Sequence, residues 1–211
     1  MQLSVKESSD ELNPTVSAPE VFLPATQQKR ASDYLALAIA TCGVGYLPLA
    51  PGTWGSLVGV GLYLFLSGAV QSVLFTNAGL HRFTLLEIWT PAMTFMLLSI
   101  FFVSMAGMWA ASRTEKLLRR KDPSVVVIDE VSGQMIALLS GPFWLHTWWS
   151  IISAFLLFRA FDIWKPYPIR QFEGLESGLG IMADDIGAGV YALIANSVLI
   201  TSYLLFFQGG G

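Results

Sequence analysis

The 211-residue chain has little charge, one cysteine and two histidines, and each shortage excludes a class of protein. Charged residues make up 13% of the sequence and hydrophobic residues 54%, whereas soluble domains are typically about 25% charged. So few charges cannot cover the surface of a soluble globule. The net charge of −3 gives no electrostatic footprint for nucleic acid. The composition therefore predicts an integral membrane protein without a nucleic-acid partner.

The scarcity of cysteine and histidine limits the chemistry that the chain can perform. With Cys42 alone, an intramolecular disulfide and a multi-cysteine zinc site are excluded. Two histidines are too few for a histidine-rich metal centre or a histidine-based lipid phosphatase. The DxDx[TV] nucleophile motif and the Cys-x5-Arg loop are also absent from the sequence. A phosphoryl-transfer reaction in this chain would therefore have to use a metal ion and water.

Long uncharged runs are abundant and predict membrane-inserted helices. Three such runs, each about long enough to cross roughly 30 Å of hydrocarbon, occupy residues 57–75, 88–111 and 186–207. A fourth apolar run, 135–160, is interrupted by Gly141-Pro142. This break predicts a hairpin of two helices near 128–140 and 147–163. The expected fold is all-α, a polytopic membrane bundle with about four to five inserted helices.

The N-terminal part of the chain differs from the rest. Residues 1–30 are polar and proline-rich, which predicts a disordered tail before a single helical membrane domain over 31–211. Segment 31–50 has a short apolar stretch followed by glycines and prolines, a pattern that favours an interfacial or re-entrant element.

A basic run follows the second apolar stretch and predicts the orientation of the chain in the membrane. Five basic residues within nine positions mark the cytoplasmic side: Arg113, Lys116, Arg119, Arg120 and Lys121.

Five carboxylates lie at the ends of apolar runs, where a charge is costly: Asp129, Glu130, Asp162, Asp184 and Asp185. A charge at a helix centre costs about 2.5–3.5 kcal/mol, so these groups require compensation. Arg159 and Lys165 can supply it, since with Asp162 they share one broad face if the helix persists. A hard divalent cation that prefers oxygen ligands is a second source, and solvent is a third. The pattern leaves all three open.

A glycine-rich block, 43–59, precedes the first long apolar run. Thr53, Ser56 and the backbone around Gly52–Gly55 predict an anion site, because helix N-termini bind phosphate. Taken alone, Ser56 is better interpreted as the N-cap of a helix that begins at Leu57.

Four blocks of sequence occur in order over about residues 43–192: GVGYLPLAPGTWGSLVG, VVVIDEVSGQMIAL, FLLFRAFDIWKPYPIR and GLGIMADDIGAGVYA. Together they resemble the phosphatidylglycerophosphatase A family. The resemblance implies an all-helical, Mg²⁺-dependent enzyme of the bacterial inner membrane. Such an enzyme hydrolyses phosphatidylglycerophosphate to phosphatidylglycerol and phosphate, with its active site facing the cytoplasm.

With this chemistry, the hypothesis for the site assigns a role to each polar residue. The predicted magnesium shell consists of Asp129, Glu130, Asp162, Asp184 and Asp185. The predicted catalytic residues are Asp129, Glu130, Asp162 and Asp185, one of which acts as a base. The predicted phosphate-binding residues are Thr53, Ser56, Arg159 and Lys165. The predicted substrate is a phospholipid in the bilayer, and the oligomeric state and the number of metal ions stay open.

Two other classes of protein use the same residue types. A membrane transporter or ion-binding protein buries carboxylates near the bilayer midplane and opens alternately to either side. A structural membrane subunit uses polar side chains only to hold helices together. Here the carboxylates lie at predicted helix ends on one side, which favours the enzyme.

Overall fold

The computed structural model describes residues 30–48, 50–78, 84–141, 147–172, 174–175 and 177–208. Every regular element in these ranges is helical, which confirms the all-α class. The α-helices of the described chain are α1 (Ala31–Thr41), α2 (Pro51–Ala78), α3 (Leu85–Leu118), α4 (Ile128–Ala137), α5 (Trp148–Trp164), α6 (Ile169–Phe172) and α7 (Ser177–Tyr203). Nearly all of the predicted disordered tail, residues 1–29, lies outside the described residues.

Among the described residues, three helices are long and apolar enough to cross a membrane: Pro51–Leu74 in α2, Leu86–Leu118 in α3, and Ser177–Phe206, which includes α7. They contain most of the three long uncharged runs. Helix α4 has 10 residues, too few for a full span, and α5 has 17, at the lower limit of the roughly 17 to 25 that a span requires. Three helices of the described chain are thus candidates to span a membrane, and the count of four to five inserted helices stays a prediction.

The hairpin predicted from Gly141-Pro142 corresponds to α4 and α5. Helix α4 continues as a 3-10 turn, Leu138–Ser140, and α5 begins at Trp148. The predicted turn at 142–146 lies outside the described residues. Helix α4 packs against α2, α3, α5 and α7, and most of its residues are buried. The two carboxylates in its first turn are thereby held inside the helix bundle.

Glycines bring α2 into close contact with α4. A Cβ atom at Gly55 would lie 2.8 Å from the carbonyl oxygen of Val127, and one at Gly59 would lie 2.8 Å from that of Val131. Both distances are too short for a side chain. Small residues at four-residue spacing let two helix backbones approach closely, so these glycines act in helix packing.

Helix α2 begins at Pro51, six residues before the start at Leu57 considered above. Proline suits the first helical position because its missing N–H would have no partner there. Ser56 therefore lies inside the helix, and its hydroxyl donates a hydrogen bond to the carbonyl oxygen of Gly52 at 2.9 Å. The interpretation of Ser56 as an N-cap is wrong.

Residues 31–48 of the segment 31–50 form α1 and a series of turns. The 11 residues of α1 are too few to span a bilayer, and the helix packs against α3. An ion pair joins Asp33 of α1 to Arg113 of α3 at 2.7 Å. A non-spanning element agrees with this geometry, and its interfacial or re-entrant position stays a prediction.

Candidate active site

Carboxyl groups from three helices meet at one place in the bundle. Asp129 and Glu130 belong to the first turn of α4, and Asp185 lies in α7. One oxygen from each of the three lies within 4.8 Å of the other two. The carboxyl group of Asp162, near the end of α5, lies beside that of Asp185, and both line the same cavity. Four of the five predicted carboxylates are thus in one cluster.

A polar cavity of about 230 Å³ opens onto these groups and is called the acidic cavity below. The lining includes six of the predicted site residues: Asp129, Glu130, Asp162, Lys165, Asp184 and Asp185. Asp122 and Ser124 also line it and were not predicted. Their sequence signal is weak, since Asp-Pro-Ser at 122–124 indicates a turn and carries no specific chemistry.

The two predicted cations pair with carboxylates at the edge of the cluster. Arg159 Nη1 lies 2.6 Å from Asp162 Oδ2, and Lys165 Nζ lies 2.6 Å from Asp184 Oδ2. Helix α5 ends at Trp164, so Lys165 is its C-cap, in a left-handed conformation with φ of 46°. This ending separates Lys165 from the helical face of Arg159 and Asp162 and lets it reach α7.

The remaining carboxylates have the properties of a cation site. Asp129 and Asp185 are buried, with 8% and 4% of their surface exposed. Oε2 of Glu130 is buried and has no hydrogen-bond partner within the described residues. An uncompensated carboxylate oxygen in the interior is costly. An all-oxygen donor set is what Mg²⁺ prefers, so the residues present fit this ion.

The electrostatics of α4 agree with that fit. Burial raises the pKa of Asp129 well above its ordinary value, and the neighbouring negative charges of Glu130 and Asp185 raise it further. Burial also raises the pKa of Glu130. Ionised carboxylates are disfavoured at this place unless positive charge arrives from outside the cluster.

Gly52, in the first turn of α2, permits the observed position of Glu130. A Cβ atom at residue 52 would overlap Oε1 of Glu130 and lie 3.0 Å from Nη1 of Arg159. The sequence pattern had suggested Gly52 only as a backbone donor to phosphate. In the structure its missing side chain also makes room for a carboxylate and its neighbouring guanidinium.

Three predicted phosphate-binding residues are not among those that line the acidic cavity. Arg159 forms an ion pair with Asp162, which does line the cavity. Thr53 and Ser56 belong to the first two turns of α2, and Ser56 is fully buried. Pro51, at the start of the same helix, does line the cavity. The phosphate-binding roles of these three side chains stay predictions.

Comparisons with known proteins place this chain in a family. The family model for phosphatidylglycerophosphatase A matches residues 37–200. A protein of Haemophilus influenzae named phosphatidylglycerophosphatase A is 38% identical, over 72% of this chain and 80% of its own length. The Escherichia coli protein of the same name is 29% identical, over 79% of this chain and 78% of its own length.

A third relative has a different name. A Bacteroides thetaiotaomicron protein, 39% identical over 81% of this chain and 96% of its own length, bears a name that proposes a phosphatidylinositol-3-phosphatase. No solved structure matches the chain.

Proposed function

Because the chain belongs to the phosphatidylglycerophosphatase A family and is a phosphatase, we propose that it hydrolyses phosphatidylglycerophosphate with the aid of Mg²⁺. The products would be phosphatidylglycerol and inorganic phosphate. The observation that carries the proposal is the convergence of Asp129, Glu130 and Asp185 within 4.8 Å beside a polar cavity.

The carboxylates of α4 and α7 would hold the metal ion. Asp129, Glu130 and Asp185 provide the nearest oxygens, with Asp162 and Asp184 at the edge of the cluster. When bound, Mg²⁺ supplies positive charge that attracts the phosphate and polarises its phosphorus–oxygen bonds. Without such charge the cluster would repel a phosphomonoester, which carries about −1.5 to −2 charges near neutral pH.

The residues around the cluster position the reactants. Lys165 lines the cavity, and its ammonium group can donate to a phosphate oxygen while it stays beside Asp184. Asp162 is held by Arg159 at 2.6 Å and can accept a proton from the attacking water. The positive end of the α2 dipole, at Pro51, favours negative charge in the same cavity.

The cavity lies where a membrane phosphomonoester can reach it. The acidic cavity is lined by Pro51 at the N-terminus of α2 and by Asp184 in the N-terminal part of α7, and both helices are candidate spans. The basic run lies at the C-terminal end of α3, the third candidate span, and just after it. Basic residues beside spans are typical of the cytoplasmic side. We propose a multi-pass protein of the bacterial inner membrane with its active site facing the cytoplasm.

The transporter alternative agrees less well with this arrangement. Transporters bind their ligands near the bilayer midplane between two alternating openings. Here the cavity is lined by residues near helix starts and helix ends, among them Pro51, Asp129 and Lys165. That position suits chemistry on a headgroup at the membrane surface.

The test is phosphate release from phosphatidylglycerophosphate in detergent micelles, with Mg²⁺ and then with excess EDTA. We expect release by the wild type only with Mg²⁺, and none by Asp129→Asn. Glu87→Gln is the matched control. Glu87 belongs to the capping box at the N-terminus of α3 and does not line the acidic cavity, so this variant should keep its activity. Full activity in EDTA, or in Asp129→Asn, would refute the proposal.

A further inference from the structure

Two further cavities lie near the acidic cavity and are related to it through shared lining residues. The middle cavity, of about 400 Å³, shares Asp122, Ile181 and Asp184 with the acidic cavity and is also lined by Lys121. The outer cavity, of about 420 Å³, shares Ser177 with the middle cavity. Shared lining residues thus relate the middle cavity to the carboxylate cluster on one side and, through Ser177, to the groove between α3 and α7 on the other.

The outer cavity combines apolar and basic groups. Met108, Trp109 and Leu179 supply apolar lining, and Trp109 and Leu179 are 44% and 51% exposed. Arg113 and Lys116 supply positive charge. Because α3 and α7 are candidate spans, apolar side chains exposed between them face lipid. The outer cavity therefore suits the part of a lipid where the acyl chains join the headgroup.

The basic residues that line the outer and middle cavities differ in their ion pairing. Arg113 is paired with Asp33 at 2.7 Å. Lys116 and Lys121 are exposed, and neither forms an ion pair within the described part of the chain. Lys121 therefore places an ammonium group without an ion pair among the described residues in the cavity next to the carboxylate cluster.

We propose that Lys121 binds the phosphodiester of the lipid substrate while the terminal phosphomonoester occupies the acidic cavity. This inference rests on the proposed function. In phosphatidylglycerophosphate, one glycerol unit separates the two phosphates, so adjacent cavities can each take one. Phosphatidic acid has a monoester and no diester, so Lys121 selects against it. Lys121 is thus a specificity-determining residue for lipids that carry both kinds of phosphate.

Membrane orientation alone does not account for the placement of these residues. The positive-inside rule requires basic residues near the span and is indifferent to which of them line a cavity. Arg119 and Arg120 lie in the same run and line none of the three cavities, whereas Lys121 does. Arg120 therefore provides a control of equal charge and similar position.

The experiment compares kcat/KM for three lipids in uncharged micelles: phosphatidylglycerophosphate, phosphatidylinositol 3-phosphate and phosphatidic acid. Phosphatidic acid is followed as a competitive inhibitor if its turnover is too slow. For Lys121→Gln we expect a loss of about tenfold on the diester lipids, mainly through KM, since a charged hydrogen bond is removed. The kcat/KM or inhibition constant for phosphatidic acid should be the same in Lys121→Gln as in the wild type. Lys121→Arg should retain the preference for diester lipids over phosphatidic acid. Arg120→Gln should match the wild type on all three lipids.

The outcomes separate this inference from the proposed function. Equal losses on all three lipids, or no loss on either diester lipid, would overturn the role of Lys121 while leaving a phosphatase. A wild type that acts on phosphatidylinositol 3-phosphate alone would refute the proposed substrate, and the effect of Lys121→Gln on that lipid would still support its role. Inactivity of the wild type on both diester lipids would overturn both.

Discussion

Helix α7 buries polar side chains in two regions that differ in how these groups are partnered. In its C-terminal half, the amide of Asn196 donates hydrogen bonds to Oγ of Ser140 at 2.7 Å and to the carbonyl oxygen of Ser150 at 3.2 Å. Its Oδ1 accepts from Ser153 at 2.6 Å. Every group there is neutral and partnered. Near Asp185, by contrast, carboxylates gather and a buried oxygen of Glu130 has no partner within the described chain.

The difference separates a structural site from a functional one. A neutral, satisfied network stabilises helix packing, so the helix-holding alternative applies well to the region of Asn196. Like charges placed together in the interior oppose folding. An arrangement of that kind is typical of sites that bind or react. The two regions therefore predict opposite consequences of mutation.

The largest expected effect is on activity at the cluster. Asp185→Asn should lower kcat by at least about a hundredfold, since it removes a candidate metal ligand. The metal-free variant should melt at or above the wild-type temperature, because one buried negative charge is removed. Steady-state kinetics and thermal unfolding in detergent measure both. A variant with near-normal turnover would contradict the distinction between the two regions.

Next in size is the effect of filling the space beside Glu130. Gly52→Ala should lower kcat/KM by about ten- to a hundredfold, because displaced catalytic groups lose alignment. Gly61→Ala is the matched control in the same helix, since a Cβ atom there would have no neighbour within 4 Å. That control should be fully active and up to about 1 kcal/mol more stable. Equal activities of the two variants would show that Gly52 has no role in positioning Glu130.

Mg²⁺ should stabilise the protein by binding near Asp185, and this stabilisation should not depend on the network of Asn196. At a Mg²⁺ concentration about 100 times Kd, the free energy of unfolding should rise by about 2.7 kcal/mol. EDTA should reverse the shift, Asp185→Asn should reduce it, and Asn196→Ala should retain it. Thermal unfolding with graded Mg²⁺ measures these shifts. Loss of the shift in Asn196→Ala would mean that the two regions are coupled.

The smallest effect is expected at the satisfied network. Asn196→Ala should lower the free energy of unfolding by about 1–2 kcal/mol, since it leaves hydrogen-bonding groups in the bundle unpaired. The kcat of the folded protein should not change. Val198→Ala serves as the control because Val198 is 60% exposed on the same helix. A large fall in kcat for Asn196→Ala would assign that region to the active site.

Sequence reasoning located the helices, their charged ends and the pairing of Arg159 with Asp162 within one helix, but not the pairing of side chains between helices. Uncharged runs and Gly141-Pro142 are local signals, so α4 and α5 lie where they were predicted. Asp184 and Asp185 are adjacent, and adjacent residues point about 100° apart on a helix. Only the packing of α7 determines that Asp184 pairs with Lys165 while Asp185 joins the cluster.

The glycine block shows why the rest was not predictable. Glycines before an apolar run suggest a phosphate-binding turn, and glycines within a helix suggest close packing. The difference depends on where α2 begins, which is at Pro51, and on the contact of Gly55 and Gly59 with α4. The four-residue spacing of Gly55 and Gly59 allows close helix packing. It does not identify α4 as the partner, because that contact joins distant segments of the chain.

The most direct test of the central claim is the anomalous diffraction of Mn²⁺, used in place of Mg²⁺ in crystals of the protein. We predict a peak among the carboxylates of Asp129, Glu130 and Asp185, and its loss in crystals of Asp185→Asn. A peak elsewhere, or none in crystals of protein that Mn²⁺ activates, would contradict the assignment of these residues as the metal site.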